Sequence, residues 1–138
     1  MRNILFAIAL FLALPASAHS WEAKTKSVRD GDTITVVNPD GAQVHVRLFG
    51  IDCPETKQPS GDLAKKALSK LAGRKTVNII PMDTDRYGRT VGLVHTADGA
   101  MVNMELVRSG CAWVFDQHCS HVGICSELRA AQAEARAE

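Results

Sequence analysis

The chain has 138 residues, with 16 lysines and arginines against 15 aspartates and glutamates, for a formal net charge of +1. This length suits one domain with a single hydrophobic core and leaves no room for a second domain. A charge so close to zero excludes the strongly basic class of nucleic-acid-binding proteins, so net charge gives no support for such a function.

Residues 1–18 have the pattern of a secretory signal peptide. Arg2 supplies a positive charge, residues 4–14 form an apolar run, and residues 16–18 (Ala-Ser-Ala) form a small-residue cleavage signal. The apolar run is short for a bilayer span, which disfavours a membrane anchor. We therefore predict a mature domain over residues 19–138 that is secreted or periplasmic and has no membrane association.

Three strands are predicted at the start of the mature domain, at residues 23–28, 33–37 and 44–49. The second strand is β-branched throughout, and the third alternates apolar with polar residues, as expected for a strand with one face in a core. The turn-forming cluster at 38–41 (Asn-Pro-Asp-Gly) joins these two strands into a hairpin.

A helix is predicted over residues 58–73, with Ser60 as its N-cap and Gly73 as its C-terminal glycine. Its apolar residues recur at helical spacing, namely Leu63, Ala67, Leu68 and Leu71.

Two further strands and two helices complete the predicted order. The strands span 76–80, with Pro81 just beyond, and 90–96, and the helices span 103–109 and 126–138. Five strands with a helix between the third and fourth are typical of a small closed antiparallel barrel. The sequence therefore predicts a β-rich α+β fold, a five-stranded OB-type barrel with about three helices, two of them C-terminal.

The mature segment contains four cysteines: Cys53, Cys111, Cys119 and Cys125. An even count in an exported chain indicates disulfides, and three pairings are possible. Cys119 with Cys125 is the easiest pair by loop length and would leave Cys53 with Cys111. The sequence does not fix the pairing.

Two carboxylates are predicted to meet at one end of the hairpin. A turn centred near Asp40 places Asp32 roughly opposite Leu48, so Asp32 and Asp52 emerge close together. Carboxylates in proximity repel each other unless a cation lies between them, and oxygen ligands favour Ca²⁺ or Mg²⁺. The competing interpretation is an ordinary Asp-Gly turn at residues 30–31.

Two arginines and a glutamate add to this pattern. The guanidinium forks of Arg47 and Arg89 suit bidentate contact with phosphate. Glu55, which follows the rigid Pro54, could orient or deprotonate a water near a metal. Each residue alone also fits a surface charge, but together they predict metal-assisted hydrolysis of a phosphodiester.

Four segments carry a family resemblance: residues 28–33 (VRDGDT), 47–56 (RLFGIDCPET), 84–89 (TDRYGR) and 102–110 (VNMELVRSG). In these segments the chain resembles the staphylococcal-nuclease-type thermonucleases, with the motifs in that family's order. The resemblance implies an OB barrel with three helices.

The resemblance also implies a set of functional residues. It implies Ca²⁺ bound by Asp32, Asp52 and the backbone carbonyl of Cys53. It implies three catalytic residues, Arg47, Glu55 and Arg89. Tyr87 would lie beside the bound nucleotide.

The implied activity is endo- or exonucleolytic cleavage of DNA and RNA, preferably single-stranded, at the 5′ P–O bond to leave 3′-phosphates. We expect a monomer. The alternative is a non-catalytic nucleic-acid-binding OB barrel, which is disfavoured because every catalytic position is filled. A thiol-redox or zinc protein built on Cys119 and Cys125 ranks last because the chain lacks a Cys-x-x-Cys motif. Trp113 and Phe115 are expected to pack in the core rather than to stack on bases.

Overall fold

A computed structural model describes residues 19–138, so the predicted signal peptide lies outside the described residues. Seven strands and three α-helices follow in the order β1 Trp21–Val28, β2 Thr33–Val37, β3 Gln43–Leu48, β4 Ile51–Asp52, α1 Gly61–Ala72, β5 Thr76–Thr84, β6 Thr90–Thr96, α2 Val102–Arg108, β7 Trp113–Val114 and α3 Val122–Ala137. Within the described part of the chain, no helix is long and apolar enough to cross a bilayer.

Five of the strands close into a barrel in the order β1-β2-β3-β6-β5, which confirms the predicted OB-type architecture. The predicted hairpin is β2–β3, with Thr33 opposite Arg47. One step beyond this pair, the Leu48 amide donates to the Asp32 carbonyl at 2.8 Å. Asp32 therefore lies opposite Leu48, as the position of the turn predicted.

The expectation of an all-antiparallel barrel was wrong at one pair of strands. β3 and β6 pair in parallel, with Val46 opposite Thr90 and Leu48 opposite Gly92. Parallel neighbours need a long crossover connection, and β4, α1 and β5 lie between these two strands in the chain. The parallel pair brings the start of β6, just after Arg89, alongside the strand that carries Arg47.

A second sheet, with two strands, was not predicted from the sequence. β4 pairs with β7 antiparallel, with Asp52 opposite Trp113. Each strand has only two residues, too few for an alternating pattern to be recognised. β5 also continues through Pro81 to Thr84, with a register shift between Pro81 and Asp83, because a proline is tolerated at a bulge.

The ends of α1 differ from those predicted. The helix begins at Gly61, and Ser60 occupies the N-cap position with φ of 67° and no side-chain capping hydrogen bond. At the other end Gly73 has φ of −62°, and Arg74 takes the left-handed conformation with φ of 56°. The predicted caps therefore occupy the right positions without the expected geometry.

The barrel interior forms the core, and the polar side chain of Asn103 is fully buried beside it. Asn103 of α2 accepts a hydrogen bond from the Val94 amide at 3.0 Å. Its amide nitrogen donates to the carbonyls of Phe49 at 3.1 Å and Gly92 at 3.2 Å. One side chain thus joins α2 to β6 and to the turn between β3 and β4.

Of the possible disulfides, Cys119 and Cys125 are bonded, whereas Cys53 and Cys111 are both free. The suggested Cys53–Cys111 pair is therefore not formed. The disulfide packs on the β3–β4 turn, since a Cβ added to Gly50 would lie 2.8 Å from the Cys119 sulfur. It helps to fix the turn that separates Arg47 from Asp52.

Candidate active site

A cavity of about 530 Å³ opens at the end of the β2–β3 hairpin. Its lining includes every site residue predicted from the sequence except Tyr87, and its residues are Asp30, Asp32, Arg47, Asp52, Cys53, Glu55, Thr56, Lys57, Arg89 and Phe115. The strand pairings β2–β3, β3–β6 and β4–β7 bring these separated segments together.

Arg47 lies between the two predicted metal-binding carboxylates. Its Nη2 is 3.5 Å from Asp32 Oδ2 and 3.6 Å from Asp52 Oδ1. Val46 and Leu48 on either side point into the core, so the pleat of β3 directs Arg47 to the opposite face. The structure therefore gathers one guanidinium and two carboxyl groups at the same point.

The other terminal nitrogen of Arg47, Nη1, is already hydrogen-bonded to the backbone. Nη1 donates to the carbonyls of Leu48 at 2.9 Å and Ile51 at 2.8 Å, which uses both of its hydrogens. These bonds fix the plane of the guanidinium. Of the two terminal nitrogens, Nη2, beside the carboxylates, is therefore the one left to contact a phosphate.

Asp32 is a buried carboxylate in an unfavourable environment. Burial raises the pKa of Asp32 from its usual 3.8 to about 7, the Arg47 guanidinium opposes the rise, and Asp30 adds to it. Thr33 donates its hydroxyl to Asp32 Oδ1 at 3.0 Å. A further cation at this point would favour the ionised form of Asp32.

The loop before Asp32 packs closely against the first turn of α1. The Asp32 amide donates to Asp30 Oδ1 at 3.1 Å, which closes a tight Asx turn. A Cβ added to Gly31 would lie 2.6 Å from the Ala64 Cβ and 2.7 Å from the Cys53 sulfur. Glycine is therefore required between the two aspartates.

The Cys53 thiol lies beneath this loop and is buried. Burial raises the pKa of the Cys53 thiol well above its usual range, and the Asp32 carboxylate adds to the rise. The sulfur therefore stays protonated and is a poor metal ligand. A role for Cys53 through its backbone carbonyl is chemically consistent with this.

Glu55 lines the cavity from an exposed loop between β4 and α1. Its amide donates to Gln58 Oε1 at 2.8 Å, and its carbonyl accepts from the Gln58 amide at 2.8 Å. The carboxylate of Glu55 is left in contact with solvent and can accept a proton.

Arg89 is oriented by Asp85, whose role was not predicted from the sequence. Arg89 Nε donates to Asp85 Oδ2 at 2.6 Å, and Asp85 Oδ1 accepts from the amides of Tyr87 and Arg89. Burial acts to raise the pKa of Asp85, but the hydrogen bonds from Arg89 and Tyr87 outweigh it and hold the pKa below its usual range. The terminal nitrogens of Arg89 remain for an anionic ligand.

Tyr87 lies outside the cavity lining, with 69% of its surface exposed. The Arg89 guanidinium carbon is 5.5 Å from the centre of its ring, and that of Arg86 is 4.9 Å away. Tyr87 is thus adjacent to a cavity residue, and its largely exposed ring is in contact with two guanidiniums.

Phe115 and Trp113 were predicted to pack in the core, and this was wrong for both. Phe115 lines the cavity, and Trp113 is 40% exposed. The Phe115 amide donates to the Gly50 carbonyl at 2.9 Å, which extends the β4–β7 contact. The short β4–β7 pairing, invisible in the sequence, brings Phe115 to the cavity.

The cavity offers oxygen donors of the kind that a hard cation requires. Within residues 19–138, no three His, Cys, Asp or Glu side chains converge as a metal site. Asp32 and Asp52 nevertheless supply two carboxylates around one point, and Ca²⁺ or Mg²⁺ accept backbone carbonyls and waters as further ligands. The unfavourable ionisation of Asp32 would be relieved by such an ion, so the residues present fit a hard divalent cation.

Comparison with known proteins places the chain in a family. A family profile described as "Staphylococcal nuclease homologue" matches residues 45–138. The chain belongs to the staphylococcal nuclease homologue family. The match includes Arg47, Asp52, Glu55 and Arg89.

Individual relatives cover most of the chain. It is 36% identical over 118 residues to an "Uncharacterized endonuclease" of Escherichia coli O157:H7, which is 86% of this chain and 76% of that protein. A protein of Haemophilus influenzae with the same description is 36% identical over 120 residues, 85% of this chain and 67% of that protein. A "Micrococcal nuclease" of Shigella flexneri is 32% identical over 123 residues, 83% of this chain and 70% of that protein.

Proposed function

We propose that this protein is a Ca²⁺-dependent nuclease that hydrolyses phosphodiester bonds in DNA and RNA. The observation that carries the proposal is the position of Arg47 Nη2, 3.5 Å from Asp32 and 3.6 Å from Asp52, in a cavity also lined by Glu55 and Arg89. Membership of the staphylococcal nuclease homologue family and the nuclease names of its relatives support a nuclease.

The residues of the cavity have complementary roles in this proposal. Arg47, through Nη2, and Arg89, through its terminal nitrogens, contact the phosphate oxygens and stabilise the negative charge that grows on them in the transition state. Glu55 orients the attacking water and accepts its proton as the new O–P bond forms. The P–O5′ bond breaks, and the 5′-oxygen leaves and acquires a proton, so that a 3′-phosphate remains.

Asp32, Asp52 and the carbonyl of Cys53 would bind the cation. When bound, Ca²⁺ supplies Lewis-acid stabilisation of a phosphate oxygen. Arg47 holds the two carboxylates close together, and the Asx turn at residues 30–32 fixes the backbone of Asp32.

Single-stranded substrates suit the surroundings of the cavity. The exposed ring of Tyr87 can stack on an unpaired base, and Arg86 beside it can contact the backbone. Stacking and phosphate contacts do not depend on base identity, so we propose little sequence preference. We also propose a secreted or periplasmic monomer; the Cys119–Cys125 disulfide supports an oxidising compartment.

The test is cleavage of heat-denatured DNA by the purified protein in Ca²⁺ and then in excess chelator. We expect cleavage with Ca²⁺ and its loss with chelator. Glu55→Gln should lower the rate by about 10²-fold or more and preserve DNA binding, whereas Glu134→Gln, on the exposed surface of α3, should leave it unchanged. A folded protein that binds DNA without Ca²⁺-dependent cleavage would instead be the non-catalytic barrel.

A further inference from the structure

The loop that carries Glu55 is fastened to the start of α1 at several points. Glu55 and Gln58 exchange two hydrogen bonds, from the Glu55 amide to Gln58 Oε1 and from the Gln58 amide to the Glu55 carbonyl, each 2.8 Å long. The Gly61 amide donates to the Gln58 carbonyl at 3.0 Å. Glu55 is thus joined through Gln58 to the first residue of the helix.

Gly61 contributes to the same contact because it has no side chain. A Cβ added at this position would lie 2.0 Å from the Glu55 carbonyl oxygen and 2.9 Å from the Thr56 Cα. Both neighbours are backbone atoms, so any side chain at position 61 must displace the backbone of Glu55. The absence of a side chain at Gly61 therefore sets how closely the Glu55 loop can approach the helix.

The hydrogen bonds between Glu55 and Gln58 are important because Glu55 has little surrounding structure to hold its side chain in place. The residue is exposed, unlike Asp32, which is buried in the cavity wall. A carboxylate that must meet a water beside a phosphate loses rate steeply when it is misplaced by about 1 Å. An exposed loop can achieve such placement only if its backbone is fixed from outside the cavity.

We propose that Gln58 and Gly61 are positioning residues that hold the backbone of Glu55 at the cavity, so that its carboxylate meets the attacking water. This inference rests on the nuclease function proposed above. Neither residue contacts the substrate; both act through Glu55.

The first test replaces Gln58 by methionine, which has a similar shape and no carbonyl acceptor. We expect kcat on denatured DNA to fall by about tenfold or more and KM to change by less than about twofold. Gln58→Glu keeps an acceptor oxygen at the same reach and should restore kcat to within about threefold of the wild type. Gln43→Met, on an exposed position of β3 at the far end of the hairpin, is the matched control.

A double-mutant cycle separates positioning from general loss of structure. If Gln58 acts only through the Glu55 carboxylate, Gln58→Met in a Glu55→Gln background should lower the residual rate by less than about twofold. An equal loss in both backgrounds would overturn the proposal.

The second test compares two glycines. Gly61→Ala should lower kcat in the same way as Gln58→Met, whereas Gly123→Ala near the start of α3 has open space around the added Cβ and should not. Wild-type kcat in Gly61→Ala would also overturn the proposal.

Hydrogen exchange tests the contact without using activity. The Glu55 amide should be protected in the wild type and should lose about tenfold or more of that protection in Gln58→Met, because its acceptor is gone. An active wild type with unchanged Gln58→Met kinetics would refute positioning and leave the nuclease proposal intact. An inactive wild type would refute both, while exchange would still show whether Gln58 fixes the loop.

Discussion

Asn103 offers the sharpest test of how the fold holds the site together. Its side chain is fully buried and makes three hydrogen bonds, to the Val94 amide and to the carbonyls of Phe49 and Gly92. Asn103→Ala removes all three. The Gly92 carbonyl keeps a partner, because it also accepts from the Phe49 amide at 2.8 Å.

Two buried backbone groups are then left without a partner, the Val94 N–H and the Phe49 carbonyl. Each such group costs about 1–3 kcal/mol, and the lost side-chain packing adds to this. We expect the free energy of unfolding to fall by about 3–5 kcal/mol, a large share of the 5–15 kcal/mol typical of a domain.

Urea denaturation followed by tryptophan fluorescence and by circular dichroism measures this change. The midpoint should fall by roughly 2 M. Asn78→Ala, at a half-buried position of β5, serves as the control and should cost less than about 1 kcal/mol. If Asn103→Ala lowered the free energy of unfolding by less than about 1 kcal/mol, its three hydrogen bonds would not be what holds α2 to β6 and to the β3–β4 turn.

Three further predictions concern the site and its supports. Asp85→Asn keeps Oδ1 as the acceptor for the amides of the turn but removes the acceptor of Arg89 Nε. We therefore expect kcat to fall about tenfold while the unfolding midpoint barely moves. An unchanged kcat would show that Asp85 does not position Arg89. In the presence of chelator, the folded protein binds more protons than the unfolded chain between about pH 4 and pH 7, because the pKa of Asp32 is raised in the folded state. The free energy of unfolding should therefore fall as the pH rises through this window, by up to about 4 kcal/mol. Denaturation at several pH values should show that Asp32→Asn flattens this slope. Removing the six-residue Cys119–Cys125 link by a double Cys→Ser change should lower the unfolding free energy by about 2 kcal/mol, and an unchanged denaturation midpoint would contradict this.

Much of the barrel could be predicted because its strands carry local patterns. The β-branched run of β2 and the alternation in β3, with a turn cluster between them, determine the hairpin and its register. That register placed Asp32 opposite Leu48, as the structure confirms. The position of the two carboxylates predicted to bind a metal therefore followed from a turn and two short patterns.

Other features of the site could not be predicted, because they depend on contacts between distant segments. β4 and β7 are two residues each, so neither has a pattern of its own, yet their pairing brings Phe115 to the cavity. The role of Asp85 in orienting Arg89 likewise depends on turn geometry. Short elements of this kind are stabilised by their partners rather than by their own residues.

By itself, the sequence determined which chemical groups are available and the local elements that carry them: the carboxylates of the hairpin, two guanidiniums and a glutamate after a proline. Tertiary structure decided how these groups are held. It commits Nη1 of Arg47 to two carbonyls, directs Asp85 to Arg89 and fastens Glu55 to α1. The physical reason is that residue patterns encode local conformation and burial, whereas the orientation of a polar side chain is set by hydrogen bonds whose partners meet only when the chain has folded.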